Sequence, residues 1–113
     1  MKTQPKFRYS FVKKHDPFKY FKRFKIKKFF DDVLYPLDKA IQHSSFIDVE
    51  KSNLRFHEVP NIKLIQAGFQ KIIEFAEGNA IHQLKTTEQS RLLGIKINYV
   101  FYILGFDPNH DIY

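Results

Sequence analysis

The apolar residues of this chain recur with two periods, and each period predicts an element. Lys6-Phe7-Arg8-Tyr9-Ser10-Phe11 alternates polar with aromatic positions, the pattern of a half-buried strand over 6–12 with Phe7, Tyr9 and Phe11 on one face. Asp16-Pro17 reads as a helix N-cap followed by proline in the first turn, where its missing N–H costs nothing. Phe18, Phe21, Phe24, Ile26, Phe29, Phe30, Val33 and Leu34 then follow at three- and four-residue intervals, so a helix should run to Pro36, which ends or kinks it. Residues 37–45 read as a short continuation and a polar loop.

Further along, Phe46-Ile47-Asp48-Val49-Glu50 and Leu54-Arg55-Phe56-His57-Glu58-Val59 flank Lys51-Ser52-Asn53, which predicts a hairpin with a three-residue loop. Ile62, Ile65, Phe69, Ile72, Ile73 and Ala76 mark one face of a helix closed by Gly78-Asn79. Thr86 to Gln89 has capping-box spacing and predicts a short helix ending near Gly94, and Ile97 to Leu104 predicts a last, very apolar helix. The expectation is one α+β domain over 1–113, mostly helical, with a small antiparallel sheet from the 46–59 hairpin and the 6–12 strand. A winged-helix-like topology is compatible with that order. Residues 1–15 serve either as a basic N-terminal arm or as an edge strand.

A length of 113 residues suits one core, and 43% hydrophobic residues, with thirteen Phe, supply enough apolar surface to offset the entropy of ordering the chain. With no Cys, disulfides, thiolate nucleophiles and Cys-based zinc sites are excluded, and an intracellular, cytoplasmic protein is expected. Met1 to Val12 holds no apolar run that would make a signal peptide, and no window reaches the roughly 18 apolar residues of a membrane span, so neither secretion nor a membrane partner is expected. The weight of Lys, Phe and Ile is a composition common in phages, plasmids and AT-rich bacteria.

Charge changes this picture. Of a net charge of +7, residues 1–28 carry +10, from eleven Lys and Arg against Asp16 alone, while the remainder sums to −3. Like charges at helical spacing cost stability, so the excess points to a polyanionic partner. Cations neutralise phosphates and release counterions, and interleaved aromatics can stack on unpaired bases. Lysine outnumbers arginine fifteen to four, which favours point-charge phosphate contacts over bidentate base reading. The candidate phosphate contacts are Lys13, Lys14, Lys19, Lys22, Arg23, Lys25, Lys27 and Lys28. Two other readings of these residues stay open: a solvated outer face over an aromatic core face, and a membrane-surface helix.

Ser90, Gly94, Ile95, Val100 and Ile103, with Leu92-Leu93 and Phe101 and Leu104 around them, stand in the register of a small residue, a turn glycine and the apolar anchors of two packed helices. On these residues Thr86 to Gly105 resembles a bacterial helix-turn-helix of the Fis type. The resemblance implies DNA-dependent regulation of transcription, with Lys96 and Asn98 as base contacts. Without the resemblance, the same segment is a packing corner or a partner interface, with Ile97, Phe101 and Tyr102 as its apolar face. That face supports an alternative function: a small phage- or mobile-element-encoded protein that docks on, and modulates or inhibits, a host protein or nucleoprotein such as a polymerase or a CRISPR effector. A homodimer through it is also allowed.

Catalysis has little to build on. His15-Asp16, His57-Glu58 and His110-Asp111 are adjacent pairs whose side chains diverge, and His43 and His82 stand alone. There is no nucleophile elbow, phosphate-cradling glycine loop or zinc-protease motif. A non-catalytic nucleic-acid-binding protein without metal or cofactor is the favoured expectation.

Overall fold

The alternating segment near the start of the chain forms strand β1 (Arg8–Phe11), and Phe7, Tyr9 and Phe11 all pack into one hydrophobic cluster. The computed structural model describes residues 7–16, 19, 25–42, 46–52, 54–108 and 112. On these, β1 joins β2 (His57–Val59), β3 (Ile81–Lys85), β4 (Arg91–Ile97) and β5 (Val100–Asp107) in a five-stranded sheet of order β1-β5-β4-β3-β2. β2 to β5 pair antiparallel; β1 runs parallel to β5, with Arg8 beside Val100 and Phe11 beside Ile103.

Helices cover both faces of this sheet. On the first, α1 (Ile26–Phe29), a π turn (Phe30–Leu34) and α2 (Tyr35–Ile41) run on as one helical stretch, followed by α3 (Phe46–Lys51). They set Val33, Leu37, Ala40 and Val49 against Leu84, Leu92, Phe101 and Ile103. On the second face, α4 (Asn61–Gln66) and α5 (Gln70–Phe75) set Leu64 and Ile72 against Ile81, Leu93 and Leu104. The result is a three-layer helix–sheet–helix sandwich.

This architecture corrects the expectation of a mostly helical domain with a small hairpin, and with it the winged-helix topology. Segment 46–59 is not a hairpin. Val49 is buried from α3, and Ser52 ends that helix: its hydroxyl donates to the Val49 carbonyl (2.6 Å) and accepts the Leu54 N–H (3.1 Å). Only His57–Val59 reaches the sheet, as its edge.

Segment 86–105 is also strand and turn, not two helices. Residues 91–95 of β4 and 103–107 of β5 are buried on both faces, so they lack the polar–apolar alternation of a half-buried strand, and an unbroken apolar run reads equally as a buried helix. Thr87 Oγ1 accepts the backbone N–H of Gln89 (3.3 Å) and of Ser90 (3.0 Å), so the hydroxyl chemistry read as a helix cap closes the β3–β4 loop instead. Asn98 (φ 49°) and Tyr99 (φ 72°) form a two-residue turn between paired Ile97 and Val100, with both central residues left-handed as a type I′ hairpin requires.

Two helices differ in detail. The single helix expected over 62–76 is broken at Gly68 (φ +86°), which leaves Ile62 and Ile65 exposed while Leu64 is buried. The first helix runs past Pro36, because the π turn before it, closed by the Tyr35 N–H on the Phe30 carbonyl, widens the helix where the proline ring would meet the preceding turn.

Candidate nucleic-acid interface

Side chains alternate across a strand, so inward-facing Phe7, Tyr9 and Phe11 oblige Arg8, Ser10 and Val12 to project from the second face of the sheet. In register beside Arg8 and Ser10 stand Val100 and Tyr102 of β5, and across from those stand Ile97 and Ile95 of β4. α4 and α5 leave this end of the face open. Val59, Ile81, Leu93 and Leu104 are buried, but Arg8 and Ser10 are exposed, and Val12, Ile97, Val100 and Tyr102 only half-buried.

A cavity of about 220 Å³ lies in the open end. Ile95, Ile97, Tyr102 and Leu104 make its floor. One wall is an aromatic stack, His15 on Phe75, with ring centroids 4.0 Å apart and planes 11° from parallel. A single turn of 3-10 helix, Lys13–His15, follows β1 and brings Lys14 to the rim. There its Nζ lies 3.7 Å from a carboxylate oxygen of Glu77, with both side chains about 70% exposed, a pair that solvent screens strongly.

The fold thus unites Lys14, expected as a phosphate contact, with Ile97 and Tyr102, expected as a protein interface. Phe101 does not join them. It points to the opposite face, fully buried with its ring 6.2 Å from Phe7 and 5.1 Å from Phe56, so Ile97, Phe101 and Tyr102 form no common exposed patch. Alternation along β5 separates them. Lys96, paired with Phe101 across the strands, also lies on the first face, and Asn98 sits in the hairpin turn, so neither is carried on a recognition helix.

Among the other expected phosphate contacts, Lys13, Lys19, Lys25, Lys27 and Lys28 are exposed, while Lys22 and Arg23 lie outside the described residues. Lys27 meets Asp31 (3.4 Å) and Lys28 meets Asp32 (3.2 Å), both one helical turn on. With the Lys14–Glu77 pair, Lys14, Lys27 and Lys28 thus each face an acid beyond residue 28 among the described residues. Arg8 is exposed on the edge strand, and no helical reading singled it out, although the strand alternation around it already placed it opposite the aromatic core face.

His82, His57 and Arg91 pack into the fold away from this cavity. His82 stacks on Phe56 (5.0 Å, 12°), and burial pushes its pKa down; its Nδ1 has no hydrogen-bond partner among the described residues. His57 donates from Nδ1 to the Glu58 carbonyl (3.0 Å) and accepts at Nε2 from the Gln83 amide (2.9 Å). Buried Arg91 donates to the carbonyls of Thr87 (2.8 Å) and Ser90 (2.9 Å) and so ties down the β3–β4 loop, with its own pKa lowered by that burial. Among the described residues no three His, Asp or Glu side chains converge as a metal ion would need, and no helix is long and apolar enough to cross a membrane. His43 and His110 lie outside the described residues.

Comparison of the chain with protein-family models, with curated proteins and with solved structures gives no match.

Proposed function

We propose that this chain binds nucleic acid without catalysing a reaction on it, through phosphate contacts from cations gathered around the open end of the sheet. One observation carries the reading: Lys14 lines an apolar cavity on a sheet face where Tyr102 remains accessible, with exposed Lys13 next to it in the chain and exposed Arg8 on the edge strand beside Val100. Among the described residues Arg8 and Lys13 make no ion pair. A phosphate meeting Lys14 displaces only a long, exposed contact to Glu77, which costs little. Lys27 and Lys28, each beside a carboxylate, contribute less. Ammonium groups act as point charges, so binding that is largely indifferent to sequence follows.

The test is fluorescence anisotropy with labelled oligonucleotides across a salt series, comparing the parent chain with an Arg8→Gln/Lys13→Gln/Lys14→Gln variant. Three lost phosphate contacts should make the slope of log affinity against log salt shallower by about two. Absence of binding at low salt, or a slope that the variant leaves unchanged, would overturn the proposal.

A further inference from the structure

We infer that the cavity beside Tyr102 receives one unpaired nucleobase, which makes single-stranded nucleic acid the partner; the inference rests on the phosphate-binding reading above. Size is the first argument. A cavity of about 220 Å³ falls below the range of pockets that enclose drug-sized ligands, and suits one planar ring system.

Surface chemistry is the second. The floor is aliphatic, the half-exposed Tyr102 offers an aromatic face, and the polar groups stand at the rim, where Lys14 meets Glu77. Such a lining rewards stacking and apolar contact more than it reads hydrogen-bonding edges, so it tolerates any base.

Charge and placement are the third. Arg8 and Ser10 lie on the edge strand directly beside Val100 and Tyr102, and Lys14 follows two residues after Val12. A sugar–phosphate backbone crossing that edge meets Arg8 on one side of the cavity and Lys14 on the other, and the base between them turns inward onto Tyr102. In a duplex that base is stacked and paired, and must first be extruded. With Phe101 buried on the opposite face, the apolar surface here is one small hollow with Lys14 at its rim and Arg8 farther along the edge strand, which fits a base attached to phosphates better than the broad face of a protein partner.

The experiment uses the full chain and three labelled ligands of equal length: single-stranded oligothymidine, its abasic counterpart with the same phosphates, and a duplex. Oligothymidine should bind about tenfold tighter than either of the others. Tyr102→Leu should bring it to the abasic level and Tyr102→Phe should not, with thermal melts confirming that both variants fold. Equal affinity for all three ligands overturns the base-binding cavity and leaves the phosphate reading standing. Failure to bind any of them overturns both. A preference for oligothymidine that a folded Tyr102→Leu variant retains removes the base from this cavity. The abasic comparison is made on the unaltered chain, so it decides the question even where a variant does not fold.

Discussion

The ring of Phe101 lies against the backbone of Gly94: a Cβ added there would sit 2.9 Å from Phe101 Cε1 and collide with the Tyr102 carbonyl oxygen. Gly94 pairs with Ile103 at the register shift between Leu93 and Gly94, so the two central strands approach this closely only because position 94 lacks a side chain. Gly94→Ala should therefore destabilise the protein by about 1–3 kcal/mol, the cost of overpacking a close-fitted core. A urea denaturation midpoint equal to that of the parent would refute this packing.

Tyr99 holds a left-handed backbone (φ 72°) while more than half of its side chain is exposed. Glycine adopts that conformation freely, whereas an L residue with a bulky side chain is strained there. Tyr99→Gly is expected to stabilise the β4–β5 hairpin by about 1 kcal/mol. A lower melting temperature would show that the Tyr99 ring contributes more to stability than its backbone costs.

His82 gives the stability a pH dependence whose sign can be fixed. Desolvation by burial is the largest influence and lowers its pKa below the ordinary 6.5, assisted by Lys96 and opposed by the nearby Ala80 backbone and by Glu58 and Glu50. On acidification below 6.5 the unfolded chain takes up a proton that the folded chain resists, so stability falls between 6.5 and the depressed folded value. Denaturation midpoints measured on either side of 6.5 should differ less in His82→Gln than in the parent. An identical difference in both proteins would place the titration elsewhere.

Glu77 holds Lys14 in an exposed ion pair, and under the proposed function it would compete with phosphate for that ammonium group. Glu77→Gln should raise oligonucleotide affinity at low salt by about two- to fivefold, the scale of an exposed ion pair. Removing the charges of Lys27 and Lys28, which already face Asp31 and Asp32, should reduce the salt slope less than removing those of Arg8 and Lys13. Unchanged affinity in Glu77→Gln, or a larger effect from the helical lysines, would move the phosphate path off the sheet edge and onto α1.

How much of this could be read in advance depends on whether a segment meets the core on one face or on two. β1 is half-buried, and its alternation shows both the strand and the outward place of Arg8. Residues 91–95 of β4 and 103–107 of β5 are buried on both faces, and in Leu92-Leu93-Gly94-Ile95 and Ile103-Leu104 no local period separates strand from helix. The turn between them uses Asn98-Tyr99 in place of the Asn-Gly that would have announced it. The Lys27–Asp31 and Lys28–Asp32 spacings were visible, but a charge tally that stops at residue 28 separates each lysine from its acid. The cavity itself had no local signature: Lys14 meets Ile97 and Tyr102 only because β1 pairs with β5 from the far end of the chain.

Where nucleic acid lands on the protein is the most direct test, read as amide chemical-shift changes across the full chain during titration with single-stranded oligothymidine. The largest changes are expected in residues 8–14 and at Ile97 and Tyr102, with α4 and Lys96 little affected. Changes centred on α4, or on Lys96 and the first face of the sheet, with residues 8–14 unmoved, would contradict the proposed interface.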